Sequence, residues 1–315
     1  MSIELMQKSR GNNSYKPPCL TIHEALRLST DLPRLDREVL LSHTLGQDRV
    51  FLMAHGETKL TPNQLKRYRD FLARATKHEP IAYIVGEREF YGRDFSVGPG
   101  VLIPRPETEL LVEQVLNRIL NQELRIKNKN RSVAIVDVGT GSGCIIISLS
   151  LSLKQSRLKN ISFFAVDNES AALHYARKNA RHHHVDADIR FVKSDLLTRV
   201  KNQLSRYDEI SVLANLPYLS TALYRTTAPN VRQYEPASAL VSGPDGLAHY
   251  RRLLKALQAL AATGTKVHFF LEISPEQVPL LPALFADTEC LSPYSIHPDL
   301  AGSARVVSGT IAVSA

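Results

Sequence analysis

Long apolar runs are missing from this sequence. The apolar stretch 145–153 is interrupted by serines, and it falls far short of the ~20 residues that a helix needs to cross a bilayer. The first twenty residues carry several charged side chains and no apolar signal core followed by small residues. We therefore expect a cytoplasmic protein without a membrane partner.

Cysteine is scarce as well. Cys19, Cys144 and Cys290 are odd in number and widely spaced, and they form no C-x-x-C pair. This pattern argues against a disulfide framework and against a zinc site. The adjacent histidines 182–184 would point in different directions on a helix, which makes them a poor metal cage. We therefore expect no bound metal.

Blocks of five or more consecutive basic residues are also absent. The sequence has 39 Lys and Arg against 31 Asp and Glu, which gives a formal net charge of +8. An excess of this size permits anionic or ribosome-associated partners but does not by itself predict nucleic acid. We interpret it as a solvated surface, and we expect a monomer with no stable nucleic-acid partner.

The pattern of apolar residues changes twice along the 315 residues, whose length suggests about two domains. Helical spacing, as at Leu65 and Leu72, predicts an N-terminal helical domain over 1–79. Apolar residues punctuated by glycines over 80–104 predict a β-hairpin that links two domains. Over 105–315 strands and helices alternate, which predicts an α/β domain with a mostly parallel sheet and right-handed crossovers.

The predicted elements of this α/β domain follow from the apolar runs between polar spacers. Helices are predicted at 106–120, 144–153 and about 246–262. Strands are predicted at 133–138, 162–166, 188–192, 210–214, 267–273 and 304–313. The carboxyl ends of the parallel strands should meet at one edge, where open α/β sheets bind their ligands.

A glycine-rich turn connects the strand 133–138 to the helix 144–153. Glycines let the backbone turn sharply and approach a ligand without a side chain in the way, so a nucleotide-like ligand is indicated. The turn consists of Gly139, Thr140, Gly141, Ser142 and Gly143.

An acidic residue in a fitting position supports that interpretation. Asp167 lies 24 residues beyond Gly143, at the end of the next strand, and its two carboxylate oxygens suit the two hydroxyls of a ribose. These residues alone do not decide whether the ligand is NAD or S-adenosylmethionine. Cys144 occupies a place where dinucleotide turns usually have glycine or alanine, and S-adenosylmethionine has no pyrophosphate to require that pattern.

The sharpest chemical signal is the turn Asn215-Leu216-Pro217-Tyr218, directly after the strand 210–214. A planar NH2 group is a poor nucleophile because its lone pair is delocalised. The Asn215 side-chain carbonyl and the Leu216 backbone carbonyl can hold its two hydrogens, so that the lone pair faces a methyl donor. Pro217 fixes the direction of the Leu216 carbonyl, and Tyr218 offers a face on which a flat amide or base can lie.

Taken together, these motifs resemble class I S-adenosylmethionine-dependent methyltransferases that modify planar nitrogens. The resemblance is carried by Gly139-Thr-Gly-Ser-Gly143, Asp167, Ser194-Asp195 and Asn215-Leu-Pro-Tyr218. Residues 103–109 (Ile-Pro-Arg-Pro-Glu-Thr-Glu) are similar to the peptide chain release factor glutamine methyltransferases, the PrmC/HemK family. Residues 34–41, 83–86, 235–240 and 245–247 also look like family motifs.

The resemblance implies a Rossmann-like, mostly parallel seven-stranded sheet, preceded by a small N-terminal helical domain that recognises the substrate. It implies S-adenosylmethionine as cofactor and methylation of the side-chain amide (N5) of the glutamine in the Gly-Gly-Gln motif of class I release factors. By position, residues 139–143 line the methionine portion, Asp167 holds the ribose, Asp195 and Leu196 border the adenine, and residues 215–218 bind the glutamine.

Four residues depart from the family pattern or have more than one possible role. Arg105 and Glu107 suit either a substrate-facing role or the start of a helix, where negative charge is favourable. Leu216 stands where the family more often has proline, which costs ~0.4–1 kcal/mol of preorganisation. Gly302-Ser-Ala-Arg305 lacks the basic and acidic pair often seen there, which leaves the role of Arg305 open.

Other functions compete with this interpretation. A glutamine methyltransferase acting on a large-subunit ribosomal protein shares the catalytic turn but not the run 104–109. An adenine-N6 methyltransferase on rRNA or DNA must also activate a planar NH2 group with a delocalised lone pair. Such enzymes, however, usually carry a basic nucleic-acid-binding extension. A module that binds a nucleoside without catalysis is the third alternative.

Overall fold

The computed structural model describes residues 20–125, 131–154, 160–286, 288 and 293–311. Cys19, Cys290 and the last two residues of the strand predicted over 304–313 lie outside the described residues. The chain forms two compact units, Met1–Val85 and Gly86–Ala315. No helix within the described ranges is both long and apolar enough to cross a membrane.

Helices make up the described part of the first unit, residues 20–85. A capping box at Thr61 and Gln64 starts its longest helix, with Pro62 in the first turn where its missing N–H costs nothing. Leu65 and Leu72 are buried in the core of this unit, as the helical spacing predicts. The helices are α1 Ile22–Ala25, α2 Arg34–Leu45, α3 Arg49–Ala54, α4 Pro62–Ala75 and α5 Ile81–Val85.

The β-hairpin is shorter than the predicted segment 80–104. Residues 81–85 form the helix α5 and not a strand, because the Pro80 carbonyl accepts a backbone hydrogen bond from Ile84 at 3.1 Å. Ile84 is also buried in the core of the first unit, and such packing outweighs the β-propensity of Ile and Val. The antiparallel strands are β1 Glu87–Phe90 and β2 Arg93–Ser96.

The second unit contains a seven-stranded sheet in the order β5-β4-β3-β6-β7-β9-β8. The first five strands in this order are parallel, whereas β9 is antiparallel to both of its neighbours. This arrangement confirms the mostly parallel, Rossmann-like sheet. The strands are β3 Val133–Val138, β4 Ile161–Asp167, β5 Ile189–Lys193, β6 Glu209–Ala214, β7 Lys266–Glu272, β8 Ser295–Pro298 and β9 Ala304–Ile311.

Helices flank the sheet. A 3-10 turn at Pro106–Thr108 leads into the first of them, and further 3-10 turns lie at Ala237–Ala239 and Pro275–Leu280. The α-helices are α6 Glu109–Arg125, α7 Cys144–Leu153, α8 Ser170–His182, α9 Lys201–Leu204, α10 Thr221–Tyr224, α11 Pro229–Tyr234, α12 Ala248–Ala261 and α13 Leu281–Ala286.

Both faces of the sheet are buried. Since successive side chains of a strand point to opposite faces, Val136 and Val212 belong to one apolar cluster, which includes Leu257 of α12. Ile135 belongs to a second cluster, which includes Ile146 of α7. Strands buried on both faces need continuous apolar runs, and such runs made the central strands predictable from the sequence.

Candidate active site

The carboxyl ends of four neighbouring strands meet at one edge of the sheet. Val138 of β3 pairs with Val166 of β4 and with Ala214 of β6, and Ala214 pairs with Leu271 of β7. Parallel pairing keeps neighbouring strands in register. The residues one step further along these strands are Gly139, Asp167, Asn215 and Glu272.

The glycine turn is built from left-handed backbone conformations. Gly139, Gly141 and Gly143 have φ angles of 76°, 56° and 81°, which glycine adopts at little cost. A Cβ atom at Gly139 would lie 2.9 Å from Cδ2 of Leu216. The two motifs predicted to form the site are therefore in direct contact.

Asp167 is held in a fixed orientation beside this turn. Its Oδ2 accepts a hydrogen bond from the Gly141 amide at 2.9 Å, and its Oδ1 accepts one from the Glu169 amide at 2.9 Å. Burial raises the pKa of Asp167, and these amide hydrogen bonds oppose the increase. Each carboxylate oxygen has a further lone pair, so the group can also accept two ribose hydroxyls.

A cavity opens between the glycine turn and the 215–218 turn. It encloses about 720 Å³ including its open mouth. Eight of the predicted site residues line it: Gly139, Gly141, Asp167, Asp195, Leu196, Asn215, Leu216 and Pro217. The structure thus brings the predicted cofactor residues and part of the predicted substrate turn to one cavity.

The other residues of the glycine turn support it from outside the cavity lining. The Thr140 hydroxyl donates to Oδ2 of Asp137 at 2.7 Å. The Ser142 carbonyl accepts a hydrogen bond from the Asn179 side chain at 2.9 Å, and Gly143 precedes the first turn of α7. Contact of these three turn residues with a ligand remains a prediction.

Asp195 and Leu196 line the cavity beyond the end of β5. Asp195 forms an ion pair with Arg252 of α12. Leu196 has a φ angle of 47°, a conformation that is uncommon for a residue with a branched side chain. His249 lines the same cavity, and its Nδ1 lies 2.6 Å from the Ser242 hydroxyl.

The Asn215 side chain is anchored by a residue from the run 103–109. Its Nδ2 donates to Oγ1 of Thr108 at 3.0 Å, and Thr108 is buried in the 3-10 turn before α6. Because the NH2 end of Asn215 is engaged in this way, its carbonyl oxygen is left to accept a hydrogen bond from a ligand.

The Tyr218 side chain is anchored at its hydroxyl, which donates to Oε1 of Glu272 at 3.2 Å. Burial raises the pKa of the Tyr218 phenol, and the nearby Glu272 charge raises it further. Gln277 holds the backbone of the same residue, since its Nε2 donates to the Tyr218 carbonyl at 3.1 Å. Tyr218 is thus held at its hydroxyl and at its backbone carbonyl.

Arg105 and Glu107 occupy different environments. Arg105 pairs with the buried Glu235, with Nη2 and Oε1 2.5 Å apart, and Glu235 also accepts from the Ile103 amide at 3.1 Å. This ion pair joins the runs 103–109 and 235–240. Glu107 is exposed, and its charge contributes to raising the pKa of Glu272. A substrate contact for either side chain remains a prediction.

Four polar residues at this site have no role predicted from the sequence: Asp137, Thr108, His249 and Glu272. Asp137 and Glu272 each lie at the carboxyl end of an apolar strand, and that position is a usable signal. Burial raises the pKa of each carboxyl group to about 7. No group of three or more His, Cys, Asp and Glu side chains in the described part of the chain could hold a metal ion.

Comparison with known proteins assigns two segments of the chain to families. Residues 22–86 match the PrmC N-terminal domain, and residues 129–233 match a methyltransferase domain.

Several curated proteins are similar over most of their length, and each is named release factor glutamine methyltransferase. The protein of Nitratidesulfovibrio vulgaris is 36% identical over 88% of this chain and 88% of its own length. That of Chlorobaculum tepidum is 38% identical over 84% of this chain and 88% of its own. That of Escherichia coli is 33% identical over 75% of this chain and 78% of its own length.

Solved structures are more distant. The N-terminal domain of human METTL16 in complex with SAH gives a TM-score of 0.49 at 16% identity, covering 98% of this chain and 99% of that one. This likeness is too remote to carry an argument about substrate.

Proposed function

This chain belongs to the release factor glutamine methyltransferases, and we propose on that basis that it methylates class I peptide chain release factors. The reaction transfers the methyl group of S-adenosylmethionine to the side-chain amide nitrogen (N5) of the glutamine in their Gly-Gly-Gln motif. Since release factors act during translation, the reaction belongs in the cytoplasm.

The residues at the cavity fit S-adenosylmethionine. The glycine turn allows close approach of a ligand, and Asp167 presents a carboxylate to a ribose. Asp195 and Leu196 would border the adenine, and residues 139–143 would accommodate the methionine portion. When bound, the cofactor supplies a methyl group on a positively charged sulfur, so the chain needs neither a metal nor a nucleophile of its own.

The 215–218 turn supplies what a carboxamide nucleophile lacks. Asn215 Oδ1 and the Leu216 carbonyl each accept one hydrogen of the substrate NH2, which leaves the nitrogen lone pair facing the methyl group. Both dipoles interact more strongly as positive charge grows on the nitrogen, so they stabilise the transition state more than the ground state. Pro217 limits the backbone of Leu216, and the Tyr218 ring supports the planar amide.

One observation carries this proposal: the Asn215 amide donates to Thr108 at 3.0 Å while the same residue lines the cavity with Asp167. This hydrogen bond directs an oxygen acceptor towards the ligand. A base-modifying enzyme would need the same acceptor. The family membership therefore favours glutamine over adenine.

The partner and the role of the first unit follow from the same family membership. We propose that helices α1–α5 contribute to recognition of the release factor, because residues 22–86 match a domain of this family. We further propose that the enzyme acts as a monomer without a stable nucleic-acid partner.

The test is incubation of the purified protein with labelled S-adenosylmethionine and one of three acceptors: a class I release factor, a large-subunit ribosomal protein mixture, or ribosomal RNA. We expect label in the release factor alone. The matched control is the same release factor with alanine in place of the glutamine of its Gly-Gly-Gln motif, which should stay unlabelled. Label only in RNA or only in ribosomal protein would reject the proposal.

A further inference from the structure

Glu272 is a buried acid that the mechanism above does not use. It is the last residue of β7 and has a relative exposure of 1%. Its strand pairs with β6, whose last residue directly precedes Asn215. A buried carboxylate is costly unless it is paired or hydrogen-bonded, so its place beside the substrate turn calls for a function.

Glu272 is connected to two side chains of the 215–218 turn, those of Tyr218 and Asn215. Its Oε1 accepts the hydroxyl hydrogen of Tyr218 at 3.2 Å. Hydrogen bonding by the Thr108 side chain lowers the pKa of Glu272 against the effect of burial, and the same Thr108 hydroxyl accepts from the Asn215 amide at 3.0 Å. Glu272 therefore touches Tyr218 directly and reaches Asn215 through Thr108.

The direction of these hydrogen bonds has a consequence for Asn215. In its carboxylate form Glu272 can only accept hydrogen bonds. Its Oε1 accepts from the Tyr218 hydroxyl, and its Oε2, which is buried without a partner, is open to the hydroxyl hydrogen of Thr108. Thr108 is then left with lone pairs on the side that faces Asn215, and it accepts from the Asn215 NH2 group at 3.0 Å. The two ends of a carboxamide are nearly equal in shape, so a donor and acceptor pattern of this kind decides which end faces the ligand.

We propose that Glu272 is a positioning residue, which through Thr108 and Tyr218 orients the Asn215 carbonyl oxygen and the Tyr218 ring towards the substrate amide. This inference rests on the proposed function, because it assigns the orientation of the acceptor that the methylation needs.

Two further charged groups surround this arrangement. Arg305 stabilises the Glu272 carboxylate electrostatically, and Glu107 opposes it. Arg305 also pairs with Asp299 at 3.2 Å, and its Nε is buried without a hydrogen-bond partner. Oε2 of Glu272 is likewise buried without a partner. The carboxylate thus has acceptor capacity beyond the Tyr218 contact, which lets Thr108 donate to it.

The first variant is Glu272→Gln, which keeps the shape but replaces one acceptor oxygen by a donor. We expect kcat for the release factor to fall by about 10- to 100-fold, because small misplacements of a positioning group have effects of this size. The affinity for S-adenosylmethionine should change by less than about threefold, because the cofactor residues remain. Glu209→Gln is the matched control. Glu209 is also buried, at the opposite end of β6, and its substitution should leave kcat within about twofold.

The second pair of variants separates hydrogen bonding from packing. Thr108→Val keeps the volume of threonine but loses the hydroxyl, whereas Thr108→Ser keeps the hydroxyl but loses a methyl group. We expect Thr108→Val to lower kcat about as much as Glu272→Gln and Thr108→Ser to retain most of the activity. A role in packing alone predicts the opposite order. This pair also keeps the inference testable if Glu272→Gln does not fold.

The double variant Glu272→Gln/Thr108→Val completes the test. Residues of one network give non-additive effects, so its kcat should lie within about twofold of the lower single variant. A wild-type kcat in Glu272→Gln, or losses that multiply in the double variant, would overturn the inference. If the wild-type protein does not methylate release factor at all, the proposed function fails instead, and the two failures are therefore distinguishable.

Discussion

Asn215→Ala removes the acceptor on which the proposed chemistry depends most. The side chain lines the cavity, and its amide is held by Thr108 at 3.0 Å, so the acceptor is preorganised. Loss of one such group at a site of developing charge costs ~10²–10³ in kcat, equivalent to ~2.7–4 kcal/mol. Cofactor affinity should change far less, because Asp167 and the glycine turn remain intact.

The assay is single-turnover and steady-state methylation of release factor with Asn215→Ala, together with calorimetric measurement of S-adenosylmethionine binding. Thr221→Ala is a suitable control, since it is a polar-to-alanine change at an exposed position shortly after the same turn. A kcat within about threefold of wild type in Asn215→Ala would refute the proposed role of the side chain. Equal losses in kcat and cofactor affinity would show that Asn215 acts in binding and not in the transition state.

Three further predictions concern other parts of the second unit. Asp167→Ala should weaken S-adenosylmethionine binding about 100-fold, because it removes two hydrogen bonds between the ribose and a charged group, each of which contributes ~1.5 kcal/mol. An unchanged affinity in calorimetry would mean that the ribose lies elsewhere. Gly246→Ala should lower the free energy of unfolding in urea by about 2–4 kcal/mol, because a Cβ would lie 2.0 Å from the Tyr218 carbonyl oxygen. Gly264 also has a positive φ, but a Cβ there would meet open space. Gly264→Ala should therefore lower the free energy of unfolding by only about 1–2 kcal/mol. Equal losses in the two variants would contradict a steric clash at Gly246. Burial raises the pKa of Asp137 from 3.8 to about 7, so its contribution to stability is present at about pH 4 and is lost as the pH rises through about 7. The stability of Asp137→Asn relative to wild type should therefore increase over this range, whereas a constant difference would contradict the assignment.

The central strands could be predicted closely because they are buried on both faces. The strand at 133–138 and the helix at 144–153 agree with β3 and α7. By contrast, the sequence does not predict β8, because its four residues are mostly exposed and lack an apolar pattern. The sequence predicts a hairpin at residues 81–85 because Ile and Val favour strands, but tertiary packing makes these residues a helix.

The chemical motifs of the site could be read from the sequence, but their supports could not. The turns 139–143 and 215–218 are continuous in sequence, and parallel pairing brings them together. The hydrogen bond from Asn215 to Thr108 joins residues 107 positions apart, and that from Tyr218 to Glu272 joins residues 54 apart. Contacts over such separations depend on the packed fold, and local patterns do not contain them.

Leu216 illustrates how packing can replace a local constraint. The sequence alone suggests a loss of preorganisation where the family more often has proline. In the structure, Leu216 has a relative exposure of 5%, and its side chain lies against Gly139. This contact restrains the residue in place of a proline ring. Catalysis should therefore tolerate leucine here.

The most direct measurement is tandem mass spectrometry of the Gly-Gly-Gln peptide of release factor from cells with and without this protein, and from cells that carry only Asn215→Ala. We predict one added methyl group, located on the glutamine side-chain nitrogen, with the wild-type protein alone. A glutamine that is methylated equally in all three strains, or a methyl group on another residue, would contradict the proposal that the Asn215 and Leu216 carbonyls present this amide for methylation.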